Sequence, residues 1–435
     1  YITESHESLK SIFSHYPHTS FNSFAAIFQN NLISKDLVTW RKFDGEMNDR
    51  NGLTVVEQVT PDYTTTFTDS AVNDLSAGVQ DTTFGSEQFQ LKNVIGSSMG
   101  WGDFVKIRDI GAARESEALK AAALRLAHDI DAYILGFAAN ASNNWLGDGN
   151  SAVSQWDDIA GGYTRLKEEG VDSMDMRAVL TYGDKQALGR DIVETNTTGN
   201  LEGMGIFNGS VAGFNTLFTQ QLPALTTGTR VATGTSVTNY GAGDPENDYE
   251  DVAISGALGQ FKSGLINFDG QTGAVTVVDG ETFTIEGVYA YDNRAKKQLD
   301  HLQEFRVIGN HTAAAGVFTN VRYFPAIIVD GPYQTVVNTN GGWDGLAITH
   351  KGAASTALHP RFLADKSSII VNTADLIMPA TGTAQRKSLS MVPVSVRMWQ
   401  DSVFATGEHR VRFDVALQPN VTADGRRRIV RINGS

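Results

Sequence analysis

From Val275 onward apolar and polar positions alternate with a period of two. The pattern runs first through Thr276-Val277-Val278-Asp279-Gly280-Glu281-Thr282-Phe283-Thr284-Ile285-Glu286-Gly287-Val288, then Glu304-Phe305-Arg306-Val307-Ile308, and near the end His409-Arg410-Val411-Arg412-Phe413-Asp414-Val415-Ala416-Leu417. Successive side chains of a strand point to opposite faces, so this alternation predicts half-buried strands. A different period governs residues 114–140. Leu119, Ala123, Leu126, Ile130, Tyr133, Ile134 and Phe137 line one face of a predicted helix, with Arg114, Glu115, Lys120, Arg125 and Asp129 off that face. The stretch is long enough to be the spine of a domain.

Phe21, Phe24 and Phe28 stand at helical spacing and predict one helix in an N-terminal arm. Residues 54–59 and 84–94 predict two strands, with a polar loop at 69–80 between them. A thin two-stranded projection is weakly stable alone. Adjacent subunits are therefore expected to cover the arm and the projection, including Phe21, Phe24, Phe28, Val55, Val59, Phe84 and Phe89. Next come a predicted helix at 156–169, stopped by Gly170, a strand at 176–182 and a short helix at 183–194. That succession implies a mixed α+β body. From Pro223 to Trp343, Thr, Gly, Val and Asp dominate without helical period, and the segment reads as an inserted all-β domain. Residues 345–350, 391–398 and 411–417 read as returning strands of the main body.

Composition narrows the class. A chain of 435 residues with 41% hydrophobic and 19% charged residues is globular, and its length predicts two or three domains. It has no Cys, which removes disulfides, thiolate zinc sites and cysteine nucleophiles and fits a reducing cytoplasm. The formal charge of −14 argues against a protein whose task is to grip nucleic acid. No apolar run is long enough to span a membrane, and Tyr1-Ile2-Thr3-Glu4 lacks the look of a secretory signal, so a cytoplasmic origin is expected.

Several strings, in order, resemble one family. They are Val211-Ala212-Gly213-Phe214-Asn215, Leu222-Pro223-Ala224-Leu225-Thr226, Gly280-Glu281-Thr282-Phe283-Thr284-Ile285-Glu286-Gly287-Val288, Gly345-Leu346-Ala347-Ile348 and Glu408-His409-Arg410-Val411-Arg412-Phe413-Asp414-Val415. With the preceding arm, projection and long helix, this order resembles the coat proteins of P22-like tailed bacteriophages. The tail Leu417-Gln418-Pro419-Asn420 departs from the family's usual close.

The resemblance implies an α+β, HK97-like phage capsid fold. Its parts would be an N-terminal arm (1–50), an extended β-hairpin or E-loop (51–110), a P-domain spine helix with the first part of the A-domain (111–222), an inserted all-β domain (223–343) and the remainder of the A- and P-domains (344–435). It implies a major capsid protein that self-assembles into hexamers and pentamers of an icosahedral shell around double-stranded DNA. Scaffolding protein, portal and a decoration protein are the implied partners, with packaged DNA touched weakly and no membrane involved. The implied location is the virion capsid, assembled in the bacterial host cytoplasm. An encapsulin-like compartment and a β-rich soluble enzyme stay open as alternatives.

Gly203-Met204-Gly205-Ile206-Phe207-Asn208-Gly209 echoes a dinucleotide fingerprint, but its last glycine falls one place late, so a loop is the preferred reading. In His128-Asp129-Ile130-Asp131 adjacent helical residues point apart, which makes a polar flank rather than a dyad. Asp244-Pro245-Glu246-Asn247-Asp248-Tyr249-Glu250-Asp251 has oxygen ligands but lacks the glycine of a calcium loop and reads as a solvated acidic loop. Arg426-Arg427-Arg428-Ile429-Val430-Arg431 reads as a terminal strand pairing with carboxylates, ahead of a DNA contact. The nine histidines, His6, His15, His18, His128, His301, His311, His350, His359 and His409, form no zinc-binding pair. Lys92 permits an isopeptide cross-link in principle, though none is expected. The expectation is no catalytic, cofactor-binding or metal residue, no cofactor and no enzyme.

Overall fold

The computed structural model describes residues 17–43, 54–59, 85–91, 93–102, 112–149, 151–171, 175–195, 210–231, 235–236, 249–253, 260–292, 295–330, 334–379, 382–403, 408–421, 425 and 428–434. The chain divides into two compact units. One gathers Tyr1–Val55, Gln90–Gly136 and Ile370–Asn420, and the other Val56–Phe89, Phe137–Ile369 and Val421–Ser435.

In the first unit, helices α1 (Pro17–Asn31) and α2 (Ser34–Leu37) and most of α3 (Ala112–Ala141) accompany a six-stranded sheet. Its strand order is Thr39–Lys42, Ile369–Ala374, Glu408–Val421, Ser395–Val403 and Thr383–Ser388, with Val94–Gly102 also paired to Glu408–Val421. The central strand follows the predicted alternation, with Val411, Phe413 and Val415 buried and Arg410 and Arg412 exposed. Asp414 shares the face of the two arginines yet is buried. Arg397 Nη2 donates to it at 2.6 Å, and Arg412 Nε donates as well. Its register partner is Gly96, where a Cβ would collide with the carboxylate, so only glycine leaves the pair room.

Phe21, Phe24 and Phe28 are buried within their own subunit. Phe24 lies flat on Phe413, ring centroids 3.8 Å apart and planes 9° from parallel, and Phe21 stacks on the same ring at 6.4 Å. The expectation that neighbouring subunits cover these phenylalanines is thereby corrected. An amphipathic helix can fold back on the apolar face of its own sheet, which an extended arm could not. Phe84 and the side chains of Val55, Val59 and Phe89 lie outside the described residues.

Helix α3 buries Leu119, Ala123, Leu126, Ile130 and Ile134 as the period predicts, with Tyr133 and Phe137 half-buried. On its outer side Arg125 and Asp129 form an i,i+4 ion pair at 3.0 Å, with side chains 74% and 45% exposed.

Two large sheets and smaller two-stranded ones make up the second unit among the described residues. A six-stranded mixed sheet runs Asn144–Leu146, Ile429–Ile432, Arg361–Asp365, Met176–Leu180, Phe214–Phe218 and Ser210–Val211. Helices α4 (Trp156–Glu168) and α5 (Tyr182–Thr195) bury Ile159, Leu166 and Leu188 in one core with Met176, Leu180, Phe214, Leu363, Val430 and Ile432. Local sequence sets the helix ends. At the start of α5, Thr181 Oγ1 accepts from the Asp184 amide at 3.1 Å while Asp184 Oδ2 accepts from the Thr181 amide at 2.9 Å. Beyond α4, Gly170 takes φ +80° and its amide donates to Lys167 O at 3.0 Å, which ends the helix where the sequence predicts.

The other, eight-stranded sheet runs Thr235–Ser236, Ala347–His350, Thr282–Asp292, Lys297–Ile308, Phe318–Phe324, Gln260–Phe268 and Tyr249–Ala253, with Val336–Asn338 also on Thr282–Asp292. Phe268, Phe283, Phe305, Phe318, Tyr323 and Trp343 fill its core. One expectation changes here. Ala347–His350 does not return to the main body but pairs antiparallel with this sheet, Phe283 opposite His350 and Ile285 opposite Ile348. Ile348 and His350 are both buried there, so the alternation is satisfied inside the β-rich part of the chain. Thr54–Val59 and Gly85–Gln90 pair as a two-stranded sheet, as the sequence predicts, and the loop at 69–80 lies outside the described residues.

Candidate functional site

In the second unit buried charges gather around Glu304 on strand Lys297–Ile308. Glu304 is buried, and its Oε2 accepts from the Trp145 amide at 2.6 Å. Lys351 Nζ stands 3.5 Å from Oε1 and Arg165 Nη2 3.7 Å from Oε2. Arg431, fully buried, lies over the Trp145 ring at 4.3 Å and donates to Gly280 O at 2.7 Å and to Thr282 Oγ1. Arg306 meets both oxygens of Asp279 at 3.1 Å. Burial first, and then the like charge of Arg306, push the Arg431 guanidinium down to about 9, which leaves it cationic at neutral pH. Burial lowers Arg306 too, against the opposing pull of Asp279.

A satellite of this arrangement joins the buried pair Arg230 and Glu281. Glu281 Oε1 accepts from the amides of Gly228 and Val278 at 2.7 and 2.8 Å. His350 packs against the rings of Phe268 and Phe283, at 5.8 and 5.9 Å, and neither ring nitrogen has a partner. Burial, with the Arg230 charge second, holds its imidazole well below the usual histidine range and therefore neutral. Elsewhere in the unit Arg361 clamps the buried Asp184 through two bonds of 2.8 and 2.9 Å.

Chemically these groups hold strands together. Each carboxylate oxygen is occupied by cations or amides, and no hydroxyl nucleophile stands beside a free base in any of the three clusters. Buried ion pairs with satisfied partners contribute modestly to stability but are costly to break from one side. Both sides of the Glu304 cluster, the mixed sheet and the eight-stranded one, are thereby bound to each other.

In the polar flank of α3, His128 is exposed and Asp129 pairs with Arg125, but Asp131 is fully buried. Its carboxylate accepts from the amides of Ile33 and Ser34 at 2.9 and 3.0 Å, the start of α2, although burial raises its pKa. Sequence reasoning missed this cap, since its two halves are about a hundred residues apart in the chain. It also placed Tyr133 on the apolar face, whereas the hydroxyl accepts from Gln418 Nε2 at 3.1 Å and from Asn93 Nδ2.

The terminal basic run enters the mixed sheet as strand Ile429–Ile432, as the strand reading requires. Arg428 stands 4.0 Å from Asp365, while Arg431 meets a carbonyl, a hydroxyl and a ring rather than a carboxylate. His301 lies 3.5 Å from Glu168, and His311 Nε2 lies 2.9 Å from Ile308 O. Residues 203–209, 244–248, Arg426, Arg427, Lys92, His6 and His15, and the side chains of His18, Glu250, Asp251 and His409, lie outside the described residues. Among the described residues, no three His, Asp or Glu side chains group as a metal site, and no helix is long and apolar enough to cross a membrane.

What the described surface does offer is exposed apolar side chains. Ile377, Met378, Met391 and Val94 stand out on the first unit, and Trp156, Tyr163 and Tyr182 on the second. Large exposed apolar groups suit contact with other protein surfaces.

Comparison with known proteins gives these surfaces their context. No curated protein matches the chain. Among solved structures, similar ones include a chain described as the capsid structure of the cyanophage P-SCSP1u, 8% identical, covering 92% of this chain and 87% of its own, with TM-score 0.43. A chain of Mycobacterium phage Che8 is 11% identical, with coverages of 88% and 86% and TM-score 0.42. A third, from the asymmetric unit of the bacteriophage PhiM1 mature capsid, is 8% identical, with coverages of 92% and 86% and TM-score 0.41. The sequence model of the P22 coat protein, gene protein 5, matches residues 95–423, from the strand that precedes α3 to the end of the central strand of the first unit. The chain belongs to the P22 coat protein family and is a major capsid protein, a subunit of a phage shell.

Proposed function

We propose that this coat protein forms hexamers and pentamers that close into an icosahedral shell around double-stranded phage DNA. The single observation that carries the reading is the family match over residues 95–423, since it includes both the long helix and the β-rich middle of the chain. In this reading the HK97-type parts are the N-terminal arm (1–50), the E-loop (51–110), the spine helix and first part of the A-domain (111–222), the inserted β-domain (223–343, joined by the strand Ala347–His350 of the same sheet) and the remaining A- and P-domains (the rest of 344–435). The chain works without catalysis, cofactor or metal. Its partners are its own copies first, then scaffolding protein and portal, with a decoration protein and weak contact to packaged DNA. Assembly takes place in the host cytoplasm.

A heterologous contact repeated around a ring closes a capsomer without any single strong bond. Modest contacts then become strong by number. The test is coexpression of the chain with the scaffolding protein of the phage that encodes it, followed by electron microscopy. Closed shells with sixfold and fivefold capsomers are expected. Open tubes, or rings of one symmetry only, would overturn the icosahedral reading, and filled protein-cargo compartments would favour an encapsulin-like role.

A further inference from the structure

In the six-stranded sheet of the first unit, the path of paired strands ends on Thr39–Lys42 at one side and Thr383–Ser388 at the other. Both carry the charges that keep sheet edges from pairing with other chains, Arg41 and Lys42 on one, Arg386 and Lys387 on the other. Val94–Gly102 is a third edge, because among the described residues it pairs with Glu408–Val421 alone. It has no such protection. Its sequence, Val94-Ile95-Gly96-Ser97-Ser98-Met99-Gly100-Trp101-Gly102, holds neither charge nor proline over nine residues.

Side chains do little to screen this edge. Gly96, Ser98 and Gly100 occupy alternate exposed positions, and Val94 beside them is 46% exposed. The strand is nevertheless held straight. Its pairing with Glu408–Val421 is unbroken from Gly102 opposite Glu408 to Val94 opposite Ala416, and Gly96 is locked over the buried Asp414. A regular strand with one paired edge presents the amides and carbonyls of alternate residues on the other. Such an edge takes only one kind of ligand, an extended peptide that adds a strand.

We propose that the open edge of Val94–Gly102 is an assembly contact, and that an extended segment of a second copy of this chain adds to it as a further strand. The proposal rests on the coat-protein reading, which supplies the occupant. In a shell the neighbour present at every site is another copy, and an edge left uncharged on a sheet whose other outer strands are charged is one that must stay free to pair. The neutral edge also sets no charge requirement on its partner, so register comes from backbone bonds and from the small side chains that let another backbone approach.

Amide hydrogen exchange read by mass spectrometry tests the idea on free subunits and on shells assembled from the purified chain alone. Alternate amides of 94–102 should exchange freely in the subunit and about 100-fold more slowly in the shell. Equal exchange in both states would overturn the proposal, whether because the edge is covered within one subunit or because it stays open in the shell. Slowing only when another protein is added would overturn the choice of occupant. The double variant Ser98→Glu with Gly100→Glu sets its new carboxylates opposite Arg412 and Arg410, so it should keep the subunit's thermal midpoint and lose both the slowing and efficient assembly, and wild-type assembly would count against the edge. Failure of the unsubstituted chain to form shells under any condition would instead sink the coat reading on which the proposal stands.

Discussion

Phe24→Ala is the substitution that most sharply separates a helix folded onto its own subunit from an arm held by neighbours. Phe24 is fully buried and its ring lies 3.8 Å from that of Phe413, so truncation removes a whole aromatic side chain and leaves a cavity over the central strand. Phe→Ala changes in such sites cost about 3–5 kcal/mol, a figure that takes in the stacking of about 0.5–1.5 kcal/mol. That is a large share of the 5–15 kcal/mol typical of a whole domain. For a unit of this size, about 4 kcal/mol corresponds to a fall of about 8–16 °C in melting temperature. The assay is thermal unfolding of the unassembled subunit, followed by near-ultraviolet circular dichroism at a concentration too low for assembly. A melting temperature within about 2 °C of the parent, together with fragile shells, would refute the reasoning and return α1 to its neighbours.

Three further outcomes follow from the same structure. Leu126→Ala with Ile130→Ala should cost about 4–10 kcal/mol and give insoluble or unassembled subunits, whereas Arg125→Ala, on the exposed flank, should cost less than about 1 kcal/mol and assemble normally; solubility and particle yield decide it. His350 is neutral in both states above about pH 6.5, but below that the unfolded chain takes up a proton that the buried imidazole refuses, so stability falls with pH by up to about 2 kcal/mol between pH 6.5 and 5. His350→Leu should flatten this slope in melting temperature against pH, and an unchanged slope would remove His350 as its source. Expressed alone, residues 223–352 should give a dispersed amide spectrum, and residues 223–343, which lack the strand Ala347–His350 that pairs on both sides, a measurably lower melting temperature; a collapsed spectrum for both would deny the β-rich segment independent folding.

The elements of this fold that could be read directly from the chain were those whose pattern is local. The α3 stripe of Leu119, Ala123, Leu126, Ile130 and Ile134 and the alternation of Val411, Phe413 and Val415 each report a periodicity that a single strand or helix carries by itself. The same holds for Gly170, whose φ of +80° ends α4. Destination was not legible. Phe24 has the same helical spacing whether it meets Phe413 or a neighbouring subunit, and Ala347–His350 alternates equally well in either sheet.

Polar roles were harder still. Asp131 sits among charged residues and looks solvated, because its partners are the amides of Ile33 and Ser34, which any residue type could supply. Arg431 stands in a basic run that suggested carboxylates or DNA, yet Trp145 and the Gly280 carbonyl receive it. Each of these depends on two segments meeting in space, and a periodic pattern encodes one segment at a time.

The most direct test of the central claim is cryo-electron microscopy of intact particles purified from the phage that encodes this chain, at a resolution that shows side chains. A closed shell whose repeating density follows this sequence, with α3 as its long helix and Phe24 on Phe413 in every copy, is the predicted result. A shell built from a different polypeptide, with this chain present only as a small soluble oligomer, would contradict the account.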